Sequence, residues 1–112
     1  MEIDRLKSSI WIQAQIRMCS RFNLSAYVIK KGDPDAGVIF IHINKLNGEH
    51  NIYSQIRTIT GQINWTKTNR GTPLNENDAD SYLEKQKQYD PDLWILEIED
   101  PEEKYQFDGI VS

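Results

Sequence analysis

The run Val38-Ile39-Phe40-Ile41-His42-Ile43 constrains this chain more than any other stretch. All but His42 are apolar, most are β-branched, and there is little alternation. A short run of that kind between turns reads as a strand buried on both faces. It is preceded by Gly32-Asp33-Pro34-Asp35-Ala36-Gly37, where proline fixes φ near about −65° and glycine supplies positive φ. It is followed by Asn47-Gly48, a pair that favours a two-residue type I′ hairpin turn. The stretch is expected to form the middle of an antiparallel sheet.

The rest of the chain is arranged around that strand. Ser8 or Ser9 is the expected N-cap of a helix running to about Phe22. On a helical wheel Gln13, Arg17, Ser20 and Arg21 share a narrow polar strip. Trp11, Ile12, Ala14, Ile16, Met18, Cys19 and Phe22 spread over more than half of the circumference, wider than one sheet requires. Strands are expected over residues 25–30, 37–45, 51–58 and 62–68, joined by turns that argue for an antiparallel meander. Residues 68–77 have loop composition, and Asn75 or Asn77 is expected to cap a second helix to about Tyr89. Acids at 76, 78 and 80 favour that helix start through its dipole, and Asp90-Pro91 ends it. Leu93–Ile98 is a further apolar strand, and residues 104–107 are expected as a short last one. The fold class is therefore α+β: one domain over 1–112, about five mainly antiparallel strands and two helices mostly on one face, in the order α-β-β-β-β-α-β. Residues 1–8 and 108–112 are expected as loose ends.

At 112 residues the chain has room for one core. A single cysteine, Cys19, excludes an internal disulfide and a cysteine-rich zinc site. No apolar run approaches the roughly 20 residues of a membrane helix, and the acidic start lacks a signal-peptide core, so the expected location is cytoplasmic. Charge is divided unevenly. Residues 1–70 carry ten Lys/Arg against five Asp/Glu, while residues 71–112 carry three against twelve. A basic half that pairs with an acidic half of one domain is the simpler meaning, and the acidic total disfavours nucleic acid as a partner.

Several blocks carry a resemblance. They are Trp11 with Gln13-Ala14, Gly32-Asp33-Pro34-Asp35-Ala36-Gly37, Asn44-Lys45-Leu46-Asn47-Gly48, Asp78-Ala79-Asp80-Ser81-Tyr82-Leu83 with Gln86, and Tyr89-Asp90-Pro91-Asp92-Leu93-Trp94 followed by Glu97-Ile98-Glu99-Asp100. In that order they resemble the bacterial domain of unknown function 1491 family over roughly positions 5 to 107. The resemblance implies an intracellular bacterial protein of similar length and transfers no activity. It is weakest over residues 58–69, which are more polar than the family pattern.

No residue set makes a strong case for catalysis. Asp33, Asp35, Asp90 and Asp92 could offer carboxylates to Mg²⁺ or Ca²⁺, against the simpler reading that each Asp-Pro-Asp is turn chemistry. His42 and His50 do not reproduce a zinc spacing, and His42 is expected as a hydrogen-bonded core histidine. Cys19 falls on the apolar side of its helix, no serine sits in a Gly-x-Ser-x-Gly frame, and no phosphate loop follows a strand. Arg17, Arg21, Lys30 and Lys31, with Tyr27 nearby, are the best basic patch, without a nucleic-acid motif around them. The expected function is a non-enzymatic protein-interaction module without cofactor or catalytic residues, self-associating as a homodimer through Trp11, Ile12, Ile16, Arg17 and Arg21. A small metal-dependent enzyme built on the four aspartates, or nucleic-acid binding by the basic half, is the alternative.

Overall fold

In the computed structural model, residues 6–112 are described. Helix α1 (Ser8–Arg21) buries Trp11, Ile12, Gln15 and Cys19, the stripe expected of one helical face. Neither Ser8 nor Ser9 caps it. The N-cap position is Lys7, without a side-chain cap. Instead the helix start is seated on the Gly-Asp-Pro turn: the Ser8 and Ser9 amides donate to the carbonyls of Asp35 and Pro34 at 3.3 and 3.0 Å. The Ser8 hydroxyl donates to the Gly37 carbonyl at 2.7 Å. Orphan amides of a first turn are thereby satisfied by a neighbouring loop.

Strands β1 (Ser25–Lys30), β2 (Ile39–Asn44), β3 (His50–Arg57) and β4 (Ile63–Lys67) follow, then a short 3₁₀ turn (Asn69–Gly71), helix α2 (Glu76–Tyr89), β5 (Trp94–Glu99) and β6 (Ile110–Val111). They form one six-stranded sheet in the order β1-β5-β2-β3-β4-β6. The architecture is α+β with a single mixed sheet. β2, β3 and β4 do form an antiparallel meander. The expected pairing of β1 with β2 is replaced, because β5 inserts between them, antiparallel to β1 and parallel to β2. The expected strand at 104–107 is also replaced: that segment is not a strand, and Ile110–Val111 pairs parallel with β4. The lead expected to be loose over 1–8 lies mostly outside the described residues.

The β2–β3 hairpin closes around Lys45 and Glu49, whose amide and carbonyl lie 3.1 Å apart. The turn is not type I′ at Asn47-Gly48, since the positive φ angles fall on Leu46 (61°) and Gly48 (90°). Asn44 and Asn47 accept from the amides of Leu46 and Glu49 at 2.9 and 3.0 Å, so side chains shape this loop.

The helices lie on opposite faces, not mostly on one. Ile39, Ile41 and Ile43 of β2 join Trp11, Ile12 and Cys19 of α1, together with Trp65, Trp94, Leu96 and Ile98. The alternate residues Phe40 and Ile95 join Ala79 and Leu83 of α2, with Ile52 and Leu93. A central strand buried on both sides needs a layer on each side, and the alternation of side chains supplies one set to each. Residues 105–108 complete the α1 layer. Phe107 packs 4.4 Å from Tyr53 and 5.7 Å from Trp65, and Trp65 lies 5.5 Å from Trp11 between ring centroids. Tyr105 donates its hydroxyl to Gln15 at 2.7 Å, and Trp65 donates to the Asp108 carbonyl at 2.8 Å. Among the described residues no helix is long and apolar enough to cross a membrane.

Candidate functional site

The two Asp-Pro-Asp segments, distant in the chain, meet at one end of the sheet. The Asp33 amide donates to the Asp92 carbonyl at 2.9 Å, and the Trp94 indole donates to the Asp33 carbonyl at 2.7 Å. A Cβ on Gly32 would lie 2.1 Å from the Asp92 carbonyl oxygen, and one on Gly37 2.4 Å from the same atom. Only glycine permits that approach. The carboxylate of Asp33 accepts the Ala36 amide at 2.8 Å and that of Asp90 accepts the Asp92 amide at 3.0 Å. Asp35 is exposed, with Lys7 at 3.6 Å. The most distinctive blocks of the sequence thus form a seam that joins the α1 start to the entries of β2 and β5.

The residues expected to form an interface on α1 do not share one surface. Trp11 and Ile12 are 3% and 1% exposed, packed inside the chain's own core. Residues 105–108 cover part of the apolar arc, Tyr105 meeting Gln15 and Asp108 meeting Trp11, while Ala14 and Phe22 are exposed. Trp11 and Ile12 are therefore corrected to core residues. Ile16 is half-buried, while Arg17 and Arg21 are exposed.

The α2 face holds a polar cluster. His42 Nε2 and His50 Nδ1 lie 2.8 Å apart, and His42 Nδ1 is 3.5 Å from a Glu97 oxygen. Both histidines are buried, at 4% and 6% exposure, while the Glu97 side chain is 22% exposed. Asn44 donates to the second Glu97 oxygen at 3.4 Å. Burial pushes the His42 pKa below its ordinary value, with His50 adding to the effect. Glu97, and more weakly Asp80 and Glu76 of α2, pull it the other way. Glu97 favours a proton on His42 Nδ1, which leaves Nε2 to accept from His50. The three groups form a line, since Glu97 and His50 occupy opposite nitrogens of one ring. Such a line can pass a proton but does not converge on a single cation. Among the described residues no group of three or more His, Cys, Asp or Glu is placed to hold a metal ion. The His42/His50 contact was within reach of the sequence, because both lie on one face of a hairpin. Glu97 arrives through the β2–β5 pairing, which carries no local signal.

Cys19 is fully buried, and burial, with the Asp100 carboxylate nearby, pushes its thiol up to about 11. At neutral pH it is a protonated packing residue.

The sheet ends on one side in β1, which pairs only with β5 among the described strands. There Tyr27, Val28 and Ile29 are 49%, 39% and 50% exposed. Tyr27 and Val28 point to opposite faces, so apolar side chains flank this edge above and below, and the register shifts at Ile29, between Val28 and Lys30. Beside it runs an open groove between α1 and β1, lined by Ile16, Ser20, Leu24 and Ala26 among others.

Two helices on opposite faces of one mixed six-stranded sheet define a small α+β domain of the single-sheet kind. The chain belongs to the family described as "Protein of unknown function (DUF1491)", whose model matches residues 6–108. It is similar to a DUF1491 family protein from Caulobacter crescentus CB15 in its crystal structure, with 28% identity, 96% of this chain and 100% of that chain covered, and a TM-score of 0.84. The NMR structure of a DUF1491 family protein from the same organism gives 30% identity, 96% coverage of each chain and a TM-score of 0.81. The solution structure of protein Atu0922 from A. tumefaciens gives 28% identity, 87% coverage of each chain and a TM-score of 0.75. No curated protein matches.

Proposed function

We propose that this protein is a non-enzymatic interaction module that self-associates by pairing β1 with the β1 of a second copy. The observation that carries this reading is the bare edge bearing Tyr27, Val28 and Ile29. A strand edge presents unpaired amides and carbonyls to any strand laid beside it, and large apolar side chains on both faces reward the pairing. Charge favours an antiparallel, two-fold arrangement. The strand is uncharged from Ser25 to Ile29, with Lys30 and Lys31 at its end and Glu99 beside Ser25 at its start. Two-fold pairing sets the lysine end of each copy against the glutamate end of the other, and parallel pairing would set like against like. The groove between α1 and β1 adds area for the partner's side chains, which an edge needs to approach the roughly 800 Å² per partner of a stable dimer. The self-association expected on α1 thus moves to β1. The module acts in the cytoplasm in this reading.

Sedimentation at micromolar concentration tests it. A dimer is expected, and Ile29→Lys together with Tyr27→Lys should return a folded monomer whose melting temperature no longer depends on protein concentration and falls only by what association contributed. A wild-type monomer at that concentration, or a dimer indifferent to both substitutions, overturns the reading.

A further inference from the structure

A groove of about 500 Å³ runs between α2 and the loop that leads into it, within the roughly 300–1,000 Å³ of small-molecule sites. One wall is a stripe of α2, since Asp78, Ser81, Tyr82 and Lys85 follow the i, i+3, i+4, i+7 spacing of one helical face. Thr68, Asn69 and Leu74 form the other wall.

The loop wall is held in a costly conformation. In succession φ is 55° at Asn69, 54° at Arg70 and 82° at Gly71, and the first two residues carry a Cβ. L residues are disfavoured there, and such outliers persist where the surroundings impose them, ligand clamps included. Here the Gly71 amide donates to the Thr68 carbonyl and the Thr72 amide to the Asn69 carbonyl, both at 3.0 Å. The Asn69 side-chain amide donates to the Thr72 carbonyl at 3.3 Å, which fixes that side chain and leaves its oxygen as an acceptor.

The chemistry changes along the groove. Asp78 and Lys85 stand exposed at its two ends, and among the described residues neither forms an ion pair. Glu84, the acid beside Lys85, is occupied by Lys87 at 2.7 Å, while Glu76 adds to the negative end. Two helical turns set Asp78 and Lys85 about 10.5 Å apart along the axis. Between them Leu74 and Tyr82 are half-buried against the core under α2, with the Tyr82 ring 6.5 Å from Phe40. The hydroxyls of Thr68 and Ser81 and the Asn69 oxygen flank this apolar floor.

A complementary molecule carries a cation and an anion at opposite ends, an apolar group in the middle, and donors and acceptors beside it. An extended chain covers roughly 3.3–3.6 Å per residue, so three residues match the span. An ω-amino fatty acid would leave the hydroxyls and Asn69 unused, and a nucleotide would bring its phosphate charge to a single lysine.

We propose that this groove binds a free tripeptide in extended form. Its ammonium group lies at Asp78, its carboxylate at Lys85, and an apolar middle side chain on Leu74 and Tyr82, while Thr68, Asn69 and Ser81 take its peptide groups. No residue of the groove belongs to β1, so the site stands whether or not the dimer forms.

The test is an amide-resolved NMR titration of the full chain with Ala-Leu-Ala, its N-acetylated and C-amidated forms, the doubly blocked peptide, and Ala-Gly-Ala. Ala-Leu-Ala is expected to give saturable shifts at residues 68–74 and 78–85. Each singly blocked form and Ala-Gly-Ala should bind several-fold more weakly, the scale of one exposed ion pair or one side chain, and the doubly blocked peptide should leave those residues unmoved. Asp78→Asn and Lys85→Gln, both at exposed positions, should keep the fold and weaken Ala-Leu-Ala several-fold. Asp78→Asn should also abolish the discrimination against the N-acetylated form, and Lys85→Gln that against the amide. No saturable shift with Ala-Leu-Ala, or shifts located elsewhere, overturns the proposal. So does an equal response to the doubly blocked peptide, which would mark a groove for internal segments of a protein. Binding indifferent to both substitutions overturns it as well.

Discussion

The two faces of the sheet are covered in different ways. The α1 face is roofed twice, by the helix and by residues 105–108, and it carries all three tryptophans. The α2 face is roofed over one part only. Phe40, Ile52 and Ile95 lie under Ala79 and Leu83, whereas Tyr27 and Ile29 of β1 are about half exposed. Between those parts sits the line of Glu97, His42 and His50. One face is closed by apolar and aromatic packing, and the other holds a buried pair of histidines against the partly exposed Glu97.

That division is breakable in order of effect. Trp65→Ala, which empties a fully buried site on the α1 face, should cost about 3–5 kcal/mol in urea unfolding. A cost below about 1 kcal/mol would mean that the doubly roofed layer is not the main store of stability. Leu83→Ala on the other face should cost less, about 2 kcal/mol, because α2 covers a smaller area and can settle onto the gap. If it equals or exceeds the Trp65 loss, the ranking of the faces is inverted.

The histidine line makes a pH prediction specific to the α2 face. His42 has a folded pKa below its ordinary value of 6.5, so on acidification the unfolded chain takes up a proton first. Stability from this group is therefore complete above 6.5 and falls as pH drops through that value. The melting temperature should decline from pH 7.5 to 5 (on the order of a few degrees), and His42→Gln should flatten that part of the profile. A slope unchanged by the substitution would remove His42 as its source. The smallest effect belongs to the uncovered part: Ile29→Ala, measured at a concentration where the chain is monomeric, should change stability by less than about 0.5 kcal/mol. A larger loss would show that β1 is less bare than its exposure implies.

Local features of the fold were legible in the sequence, while its order across space was not. Alternation over SAYVIK pointed to β1, and Asn75 does accept the Asp78 amide as the N-cap of α2. The apolar run at Val38–Ile43 led to β2, which is buried on both faces. That same observation should have called for a helix on each face, since a strand with two buried sides needs two layers. The position of β5 was hidden because adjacency between β1 and β2 is the default for neighbours in sequence, and β5 begins only at Trp94, far beyond Lys30 and Asn44 where those strands end. The site followed the same rule. The His42/His50 contact is local to a hairpin, but Glu97 reaches it only through the pairing of β2 with the distant β5.

The central place of β5 also governs the order in which the molecule can assemble. β1 and β2 are made early, yet in the folded sheet each pairs with residues 94–99 and not with the other. Until β5 is made, one side of β2 and the paired side of β1 lack their native partner. Closure then joins segments far apart in sequence, the kind of step that slows folding through the entropy of the intervening loop. Until it occurs, the most apolar strand in the protein has an unpaired side, which makes that interval the one in which a chaperone or a misplaced strand competes for it.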